Sequence, residues 1–308
     1  MNCLSCELSM AEKTDDSMHP RCARQLFGSS LVPKINFAYA DIQQEAQKLI
    51  GKMSISGVQP KLSVAVHKKN RTLEVTPSGG THILKPSPES FPFLSENENL
   101  CMNLARKMAI ETPPHGLVKM SDGRLAYVVR RFDRGAKGEK IYVEDFSQLL
   151  EKGDKYDGSV EQIGKFLKRH SSVPFIDTQK LFVRILFYFL IGNGDAHLKN
   201  FAMVQSASGI HLAPAYDIVS SRVALPSERD EMALFINGRK NRIDMRDFEG
   251  LADTLEINGK RRDQLVMSAN VLGAKINLSM AGSLLPDKWK EKMESVFKAR
   301  FERLFNER

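Results

Sequence analysis

In the first half of the chain, apolar residues recur at every second position in three segments, a period that predicts β-strands. The segments are residues 62–66, 81–86 and 124–133. A helix is predicted to begin at Ser95, because one of its faces would carry only apolar or small side chains. These are Cys101, Leu104, Ala105 and Met108.

The second half of the chain follows the period of helices. Residues 178–191 are almost entirely apolar and predict a buried central helix with Asp177 as its N-cap. Hairpins are predicted over residues 201–213 and around Asn237-Gly238, a pair typical of tight turns. A last helix, over residues 286–308, has an apolar stripe expected in the core: Trp289, Met293, Phe297, Phe301 and Phe305. Strands followed by helices indicate an α+β fold.

Composition narrows the class of protein. A chain of 308 residues with 42% apolar content and 17 Phe fits two lobes that share one active-site cleft. The net charge of +8 is better explained by solubility than by a polyanionic partner such as nucleic acid. No secretory signal is expected. The most apolar run, residues 181–191, is too short to span a membrane, so no membrane partner is expected. Four Cys favour a reducing compartment, the cytosol.

Three of the four Cys lie near the N-terminus, in a pattern typical of zinc ligands. Cys3 and Cys6 are separated by two residues, and His19 and Cys22 follow with the same spacing. The polar segment between the pairs has no core of its own, and a structural zinc would replace that core. The alternative is a frayed tail with incidental cysteines. Residues 21–50 are predicted to form a connector that ends in a helix over residues 41–50.

An Asp and an Asn separated by four residues, Asp195 and Asn200, follow the central helix. A second acid, Asp217, follows the first predicted hairpin. Phosphoryl transfer requires an Asp that orients and deprotonates an acceptor hydroxyl, together with an Asn and an Asp that hold the metal on the phosphates. An Asp and an Asn at this spacing often occur by chance. Together with Asp217 and a lysine in an upstream strand, they predict a kinase.

A glycine-containing segment over residues 53–62 precedes the first strand, and Lys85 lies near the end of the second. Backbone N–H groups in such a loop can approach phosphates, and the lysine can pair with them. Alternatively, Lys85 is only an exposed side chain at a strand end. Glu98 also has two interpretations. It either pairs with the strand lysine or only closes a capping box with Ser95.

Several motifs then occur in one order, over residues 54–62, 82–87, 96–98, 131–134, 193–201 and 216–220. Together they resemble the HipA family of toxin serine/threonine kinases, and residues 232–243 resemble a later hairpin of that family. The resemblance begins near Gly51 and extends nearly to the end of the chain. It implies a two-lobed protein-kinase-like α+β fold with a small β-rich N-lobe, a larger helical C-lobe and a zinc-ribbon-like N-terminal segment. These regions would be residues 31–135, 136–308 and 1–30.

The resemblance also implies roles for individual residues. Asp195 would be the catalytic base, Asn200 and Asp217 would bind magnesium, and Lys85 would hold the α- and β-phosphates of ATP. Further ATP contacts would come from the loop, the hinge and two other positions: Ser56, Gly57, Val58, Gln59, Lys61, Glu98, Arg130, Phe132 and His197. Ser54 and Ser56 would be autophosphorylation sites, and their phosphates would repel those of ATP.

The chain departs from HipA proper because it lacks an extra subdomain ahead of the glycine loop and carries Ser54-Ile55-Ser56 there. Both traits are similar to the HipT branch, where a separate small protein supplies that subdomain. The implied partners are a HipB-like helix-turn-helix antitoxin, a HipS-like small protein, and DNA only through the antitoxin. The family also implies a protein substrate, an aminoacyl-tRNA synthetase.

Two other functions compete with a protein kinase toxin. A small-molecule kinase of the aminoglycoside or choline type shares Asp195, Asn200 and Asp217, but it leaves the Ser-Ile-Ser loop unexplained. A catalytically silent scaffold would bind partners through the zinc segment and a basic face. The intact set of Lys85 and the three downstream residues argues against a scaffold.

Overall fold

The computed structural model describes residues 1–10, 17–42, 59–67, 69–135 and 138–305. The chain divides into two compact units, each assembled from segments that are apart in sequence. The first unit contains Met1–Asn103, Pro113–Glu139 and Ala281–Pro286, and the second contains Leu104–Thr112, Lys140–Met280 and Asp287–Arg308. Strands and helices occur in both, which confirms the α+β class.

A five-stranded antiparallel sheet is the framework of the first unit. Its strands are β1 (Leu62–His67), β2 (Thr72–Val75), β3 (His82–Pro86), β4 (His115–Lys119) and β5 (Leu125–Arg130), in the order β2-β1-β3-β5-β4. The three predicted strands correspond to β1, β3 and β5, whereas β2 and β4 were not predicted. The central strand is β3, and its Lys85 lies opposite Tyr127 of β5.

Within the described residues of this part of the chain, α1 (Pro20–Phe27) and α2 (Leu94–Lys107) are complete helices, and residues 39–42 are also helical. The prediction of a connector over residues 21–50 is therefore wrong for residues 21–27, which are helical. Pro20 occupies the first turn of α1, where proline is favoured, and Gly28 ends the helix in the left-handed conformation with φ 73°. Of the helix predicted over residues 41–50, positions 43–50 lie outside the described residues. The predicted apolar face of α2, including Cys101, is buried.

Residues 1–10, here called the cysteine loop, fold onto the rest of the first unit. The backbone N–H of Leu117 in β4 donates to the carbonyl of Leu4 at 2.7 Å. Asn2 Nδ2 donates to the carbonyl of Gly282 at 2.9 Å. Gly282 has no room for a side chain, because a Cβ there would lie 2.0 Å from the carbonyl oxygen of Glu7. A late segment of the chain is thereby built into the first unit.

The second unit is mainly helical. Its helices are α3 (Phe146–Leu149), α4 (Val160–His170), α5 (Pro174–Ile191), α6 (Ser221–Ala224), α7 (Met245–Thr254), α8 (Gly259–Gly273), α9 (Ile276–Ala281) and α10 (Asp287–Phe305). A small sheet contains β6 (Val143–Asp145), β7 (Ala202–Ser206) and β8 (Gly209–Leu212), in that order. The helix α5 is the predicted central helix, and β7 and β8 form the predicted hairpin.

Asp177 does not cap the central helix, contrary to the prediction. Pro174 starts α5 one turn earlier, with Val173 at the N-cap position. Asp177 is buried inside the helix, and its Oδ2 accepts hydrogen bonds from Ser171 Oγ at 2.6 Å and from the backbone N–H of Leu212 at 2.8 Å. The carboxylate thus connects α5 to β8.

Two later predictions are confirmed only in part. Asn237 and Gly238 form a tight turn with φ 48° and 76°, but the flanking residues Ile236 and Arg239 make an isolated bridge instead of strands. In α10, Met293 and Phe297 are buried, whereas the other stripe residues are half-buried. Within the described parts of the chain, no helix combines the length and the apolarity that crossing a membrane would require.

Candidate functional site

A buried ion pair joins β3 to α2 in the first unit. Lys85 Nζ lies 2.6 Å from Glu98 Oε1, and the two side chains are 5% and 0% exposed. The Lys85 ammonium also lies 5.4 Å from the centroid of the Tyr127 ring, within range of a cation–π interaction. Lys85 is therefore not an exposed strand-end residue, and Glu98 is its partner.

The capping-box interpretation of Glu98 is wrong. Since α2 begins at Leu94, Ser95 lies inside the first turn and cannot be its N-cap. Ser95 Oγ instead donates to the carbonyl of Lys85 at 2.9 Å, and the Ser95 backbone N–H donates to Ser87 Oγ at 2.9 Å. These bonds fix the start of α2 against the end of β3, so the two elements that carry the ion pair are joined beside it.

Most of the predicted phosphate-covering loop, including Ser54, Ser56, Gly57 and Val58, lies outside the described residues. Two of its predicted ATP-contacting residues are described, Gln59, which is buried, and Lys61, which is half-buried. Gln59 Nε2 donates to the carbonyl of Pro86 at 3.1 Å, immediately after Lys85. The end of the loop is thus attached to the strand that carries the lysine.

The predicted hinge begins at Arg130, the last residue of β5, and continues into the turn that follows. The backbone N–H of Arg130 donates to the carbonyl of Pro114, and that of Arg131 donates to the carbonyl of Thr81, both at 2.9 Å. Arg131 holds Asp133 through two hydrogen bonds of 2.8 and 2.6 Å. Burial alone would raise the pKa of Asp133, but hydrogen bonds and charge from Arg131, with the charge of Arg134, lower it overall. Phe132 is half-buried between these residues.

In the second unit, α5 leads into the loop that carries Asp195. Gly192 ends the helix with φ 74°, and a Cβ there would lie 2.8 Å from Val296 Cγ1. A Cβ on Gly194 would lie 2.6 Å from Glu228 Oε2. Both glycines are therefore required by close packing. Asp195 is exposed, while its neighbours Gly194 and Ala196 are buried. The loop is packed on its inner side and presents the Asp195 carboxylate to solvent.

Tyr156, which the sequence did not indicate, orients this carboxylate. Its hydroxyl donates to Asp195 Oδ1 at 2.7 Å, and its ring packs edge-on against His197 at 5.2 Å between centroids. Burial and the hydrogen bond to Asp195 raise the pKa of Tyr156, so the hydroxyl keeps its proton and acts as a donor.

Asn200 is held in a short 3-10 turn, Leu198–Asn200, after Asp195. Its Oδ1 accepts a hydrogen bond of 3.0 Å from the backbone N–H of His197, and the side chain is buried. Burial lowers the pKa of His197, against the opposing effect of Asp195. The imidazole is therefore neutral at neutral pH and does not compete with a cation for the surrounding carboxylates.

Asp217 adopts a left-handed backbone conformation with φ 58°, which Asp tolerates better than most residues. Its neighbour Tyr216 donates from its hydroxyl to the carbonyl of Lys199 at 2.9 Å, next to Asn200. Burial raises the pKa of Tyr188, in α5, to about 12. The charge of Asp217 adds to this rise, and the charge of Arg184 opposes it. Asp195, His197, Asn200 and Asp217 all belong to the second unit, and the charges of Asp195 and Asp217 both act on the His197 imidazole. Their carboxylate and amide oxygens are the ligand types that Mg²⁺ prefers.

A second set of supporting residues also escaped the sequence reasoning. The backbone N–H of Gly194 donates to Ser221 Oγ at 2.8 Å, and Ser221 Oγ donates to Glu228 Oε2 at 2.7 Å. Burial raises the pKa of Glu228. The only hint in the sequence is that Ser221 directly follows the Asp217 motif.

The four predicted zinc ligands lie together in the first unit. The ligand atoms of Cys3, Cys6, His19 and Cys22 are all within 4.8 Å of one another. Cys6 Sγ lies 3.3 Å from His19 Nδ1, and His19 Nε2 lies 3.2 Å from the carbonyl of Ser9. A ligating histidine commonly donates its other ring nitrogen in this way. The His19 backbone N–H donates to Cys3 Sγ at 3.3 Å.

These distances fit a zinc ion. Tetrahedral zinc with Zn–S bonds of about 2.3 Å separates its ligand atoms by roughly 3.8 Å, which agrees with this cluster. Hydrogen bonds from Cys22 and Cys6 lower the pKa of Cys3, and the hydrogen bond with Cys3 raises the pKa of Cys22 in turn. The three thiols therefore share one proton-binding equilibrium, in which Cys3 is the thiolate. Cys101 is buried on α2 outside the cluster.

Comparison with known proteins relates this arrangement to one family. The model of the HipA-like C-terminal domain matches residues 53–274, more than half of the chain. An inferred kinase of Haemophilus influenzae is 35% identical over 203 residues, which are 61% of this chain and 58% of that protein. The serine/threonine-protein kinase toxin HipA of Shewanella oneidensis is 29% identical over 190 residues, 55% of this chain and 43% of that protein. The chain therefore matches about half the length of these relatives.

The fold is also similar to a solved structure. HipA in the complex of the Shewanella oneidensis MR-1 toxin–antitoxin system, with HipB and operator DNA, aligns with a TM-score of 0.68. The alignment covers 85% of this chain and 71% of that one, at 23% identity. At this identity the likeness demonstrates a shared fold.

Proposed function

The chain belongs to the HipA family, and we propose that it is a serine/threonine protein kinase that uses Mg-ATP. The observation that carries the proposal is the buried Lys85–Glu98 ion pair. Burying two charges costs free energy unless their geometry is excellent, so such a pair needs a functional reason. In kinases, a lysine fixed by a glutamate holds the phosphates of ATP.

The second unit would supply the remaining chemistry. The magnesium ions neutralise phosphate charge when Mg-ATP is bound, and Asn200 and Asp217 would be their ligands. Asp195 would orient the acceptor hydroxyl and accept its proton, while the bond from Tyr156 keeps the carboxylate in position. The exposure of Asp195 supports this role, because the acceptor must reach it from solvent.

The activity can be tested by incubating the purified protein with Mg-ATP and mapping phosphorylated residues by mass spectrometry. We expect phosphate on serine or threonine, and none in an Asp195→Asn variant that retains the fold. Phosphate transfer only to added aminoglycosides or choline would instead identify a small-molecule kinase. No transfer under any condition, with Mg-ATP bound or not, would identify a scaffold.

The family also suggests partners and a substrate. The presence of HipB and operator DNA in the Shewanella structure supports a HipB-like antitoxin as partner. We propose that DNA is contacted only through this antitoxin. A HipS-like small protein and an aminoacyl-tRNA synthetase substrate extend the proposal along the HipT resemblance. Quantitative phosphoproteomics after induction of the wild type and of Asp195→Asn would identify the substrate. If no aminoacyl-tRNA synthetase is more phosphorylated with the wild type than with the variant, a synthetase substrate is excluded.

We further propose that Ser54 and Ser56 are autophosphorylated and that their phosphates oppose closure of the loop over ATP. The variant with both serines changed to Ala should remain active and lose self-labelling. The variant with both changed to Asp should bind Mg-ATP more weakly. Equal nucleotide affinity in the two variants would exclude the switch.

The cluster of Cys3, Cys6, His19 and Cys22 would hold a structural zinc. Elemental analysis of the purified protein should find one zinc per chain, and Cys3→Ser with Cys6→Ser should lose it. Cys101→Ser is a matched control, because this cysteine is buried in the same unit but lies outside the cluster. Protein prepared without chelator that contains no zinc would exclude the site.

A further inference from the structure

The four ligands of the proposed zinc site come from two chain segments. Cys3 and Cys6 belong to the cysteine loop, and His19 and Cys22 belong to the start of α1. Besides the bonds of the cysteine loop to β4 and Gly282, each segment is hydrogen-bonded to one of the two elements that carry the ion pair. An ion bound by all four side chains would therefore cross-link the two segments.

The cysteine loop is bonded to α2, the helix that carries Glu98. Asn103 Nδ2 donates to the carbonyl of Ser5 at 2.7 Å, and Asn99 Nδ2 donates to Glu7 Oε1 at 3.0 Å. Asn99 directly follows Glu98, and Asn99 and Asn103 lie one turn apart on the same helix face. Both asparagines are buried. The loop therefore contacts α2 within one turn of the ion pair.

The other ligand segment is bonded to β3, the strand that carries Lys85. His82 Nε2 lies 2.7 Å from the carbonyl of Leu26 in α1, and its Nδ1 lies 2.9 Å from Thr81 Oγ1. The rings of His82 and Phe27 are 5.5 Å apart between centroids. With Nε2 protonated, His82 donates to α1 and accepts from Thr81. This contact lies three residues before Lys85 in the same strand.

We propose that metal at the Cys3–Cys6–His19–Cys22 site positions the Lys85–Glu98 pair, and so makes nucleotide binding depend on metal occupancy. One ligand segment supports the element with the glutamate, and the other supports the element with the lysine. The ion joins the two supports. Loss of zinc by chelation would separate them and shift α2 away from the geometry of the pair. The link to nucleotide rests on the proposed kinase function.

The central experiment uses the full chain with zinc bound. Zinc is removed with a selective chelator, which is itself removed by desalting before magnesium is added. Zinc content, hydrogen exchange of the peptide that contains Glu98, and affinity for Mg-ATP are then measured. We expect faster exchange over α2 and an affinity about five- to tenfold weaker, at the lower end of coupling between sites. Re-addition of one equivalent of zinc should restore both.

Variants separate positioning from a general loss of stability. Asn99→Leu with Asn103→Leu cuts the link to α2 while leaving all four ligands in place. It should retain zinc and still show faster exchange at α2 and weaker nucleotide affinity. If chelation unfolds the whole first unit, the test of the proposal rests on this variant, because it perturbs the link to α2 while zinc stays bound. Wild-type exchange and affinity in the zinc-loaded double variant would overturn the proposal, as would unchanged exchange at α2 after zinc removal.

Glu98→Gln completes the design. In this variant the ion pair is already lost, so removing zinc should change nucleotide affinity much less than in the wild type. An equal effect of zinc removal in both backgrounds would overturn the proposed route through Glu98. If the wild-type protein binds no nucleotide at all, the kinase function fails, while hydrogen exchange at α2 still tests whether the metal positions the helix.

Discussion

The ion pair of the first unit and the Asp195 loop of the second unit hold their charges in opposite ways. Lys85 and Glu98 are both buried and neutralise each other, so their charges are part of the packing. Asp195 is exposed, and the buried groups around it, such as Gly194 and Ala196, shape the loop. The candidate charged groups of the first unit are thus themselves buried in the core, whereas in the second unit the charged group is exposed and its neighbours are buried. Substitutions should separate the two cases.

The largest effect on activity is expected at Asp195. Asp195→Asn removes the proton acceptor but keeps the shape of the side chain, so phosphotransfer should fall by about 10²–10⁴-fold. Because the carboxylate is exposed, the free energy of unfolding should change by less than about 0.5 kcal/mol. Initial rates and denaturant unfolding would measure both. A large loss of stability would contradict the view that the Asp195 charge lies outside the packing.

Glu98→Gln should instead reduce both activity and stability. It leaves the Lys85 ammonium buried without a countercharge, and breaking a buried pair in this way costs roughly 3–5 kcal/mol. The double variant Lys85→Met with Glu98→Leu should recover much of this stability and none of the activity. Equilibrium unfolding of the three proteins provides the measurement. A single variant as stable as the wild type would show that the pair is not a packing element.

Tyr156→Phe should have a smaller effect, confined to the Asp195 loop. It removes one hydrogen bond to an ionised group, equivalent to about 1.5–3 kcal/mol at most, so the rate should fall by roughly tenfold. Tyr142→Phe is a matched control, since the Tyr142 hydroxyl donates to Glu144 at 2.6 Å in an exposed position. Equal rates for the two variants would remove Tyr156 from the orientation of Asp195.

The smallest expected effect is on the pH dependence of the unfolding free energy. It comes from His82, which lies in the same strand as Lys85. Burial lowers the pKa of His82 in the folded protein below its ordinary value of 6.5. The unfolded chain then binds more protons than the folded one near that pH. The unfolding free energy should therefore be greatest above pH 6.5 and should decrease as the pH falls below it. His82→Gln should flatten this decrease, and an unchanged slope in unfolding experiments at several pH values would contradict it.

Strong periodicity made part of the fold predictable. The alternation of β1, β3 and β5 and the long apolar run of α5 were sufficient to locate those elements. In contrast, β2 has only four residues, and β4 begins at His115 directly after Pro113 and Pro114 and contains Gly116. Helix α1 was missed although four of its residues are apolar and buried, because it spans only eight residues.

The candidate site was predictable where function depends on local spacing. Asp195 and Asn200, as well as the four candidate metal ligands, are close in sequence, so their types and intervals could indicate chemistry. Tyr156, Ser221 and Glu228 reach the same loop from separate segments, and only three-dimensional packing brings them there. The choice between the two interpretations of Glu98 likewise required the position at which α2 begins.

The late segment Ala281–Pro286 has a consequence for the synthesis of this protein. The first unit includes these residues, and Asn2 is hydrogen-bonded to Gly282. Domains that are continuous in sequence can fold as they emerge from the ribosome. This unit cannot be completed until residues 281–286 have been made. A nascent chain would thus lack a finished first unit until the whole second-unit segment Lys140–Met280 has been synthesised, and a fragment that ends before residue 281 should be a poor substitute for the first unit.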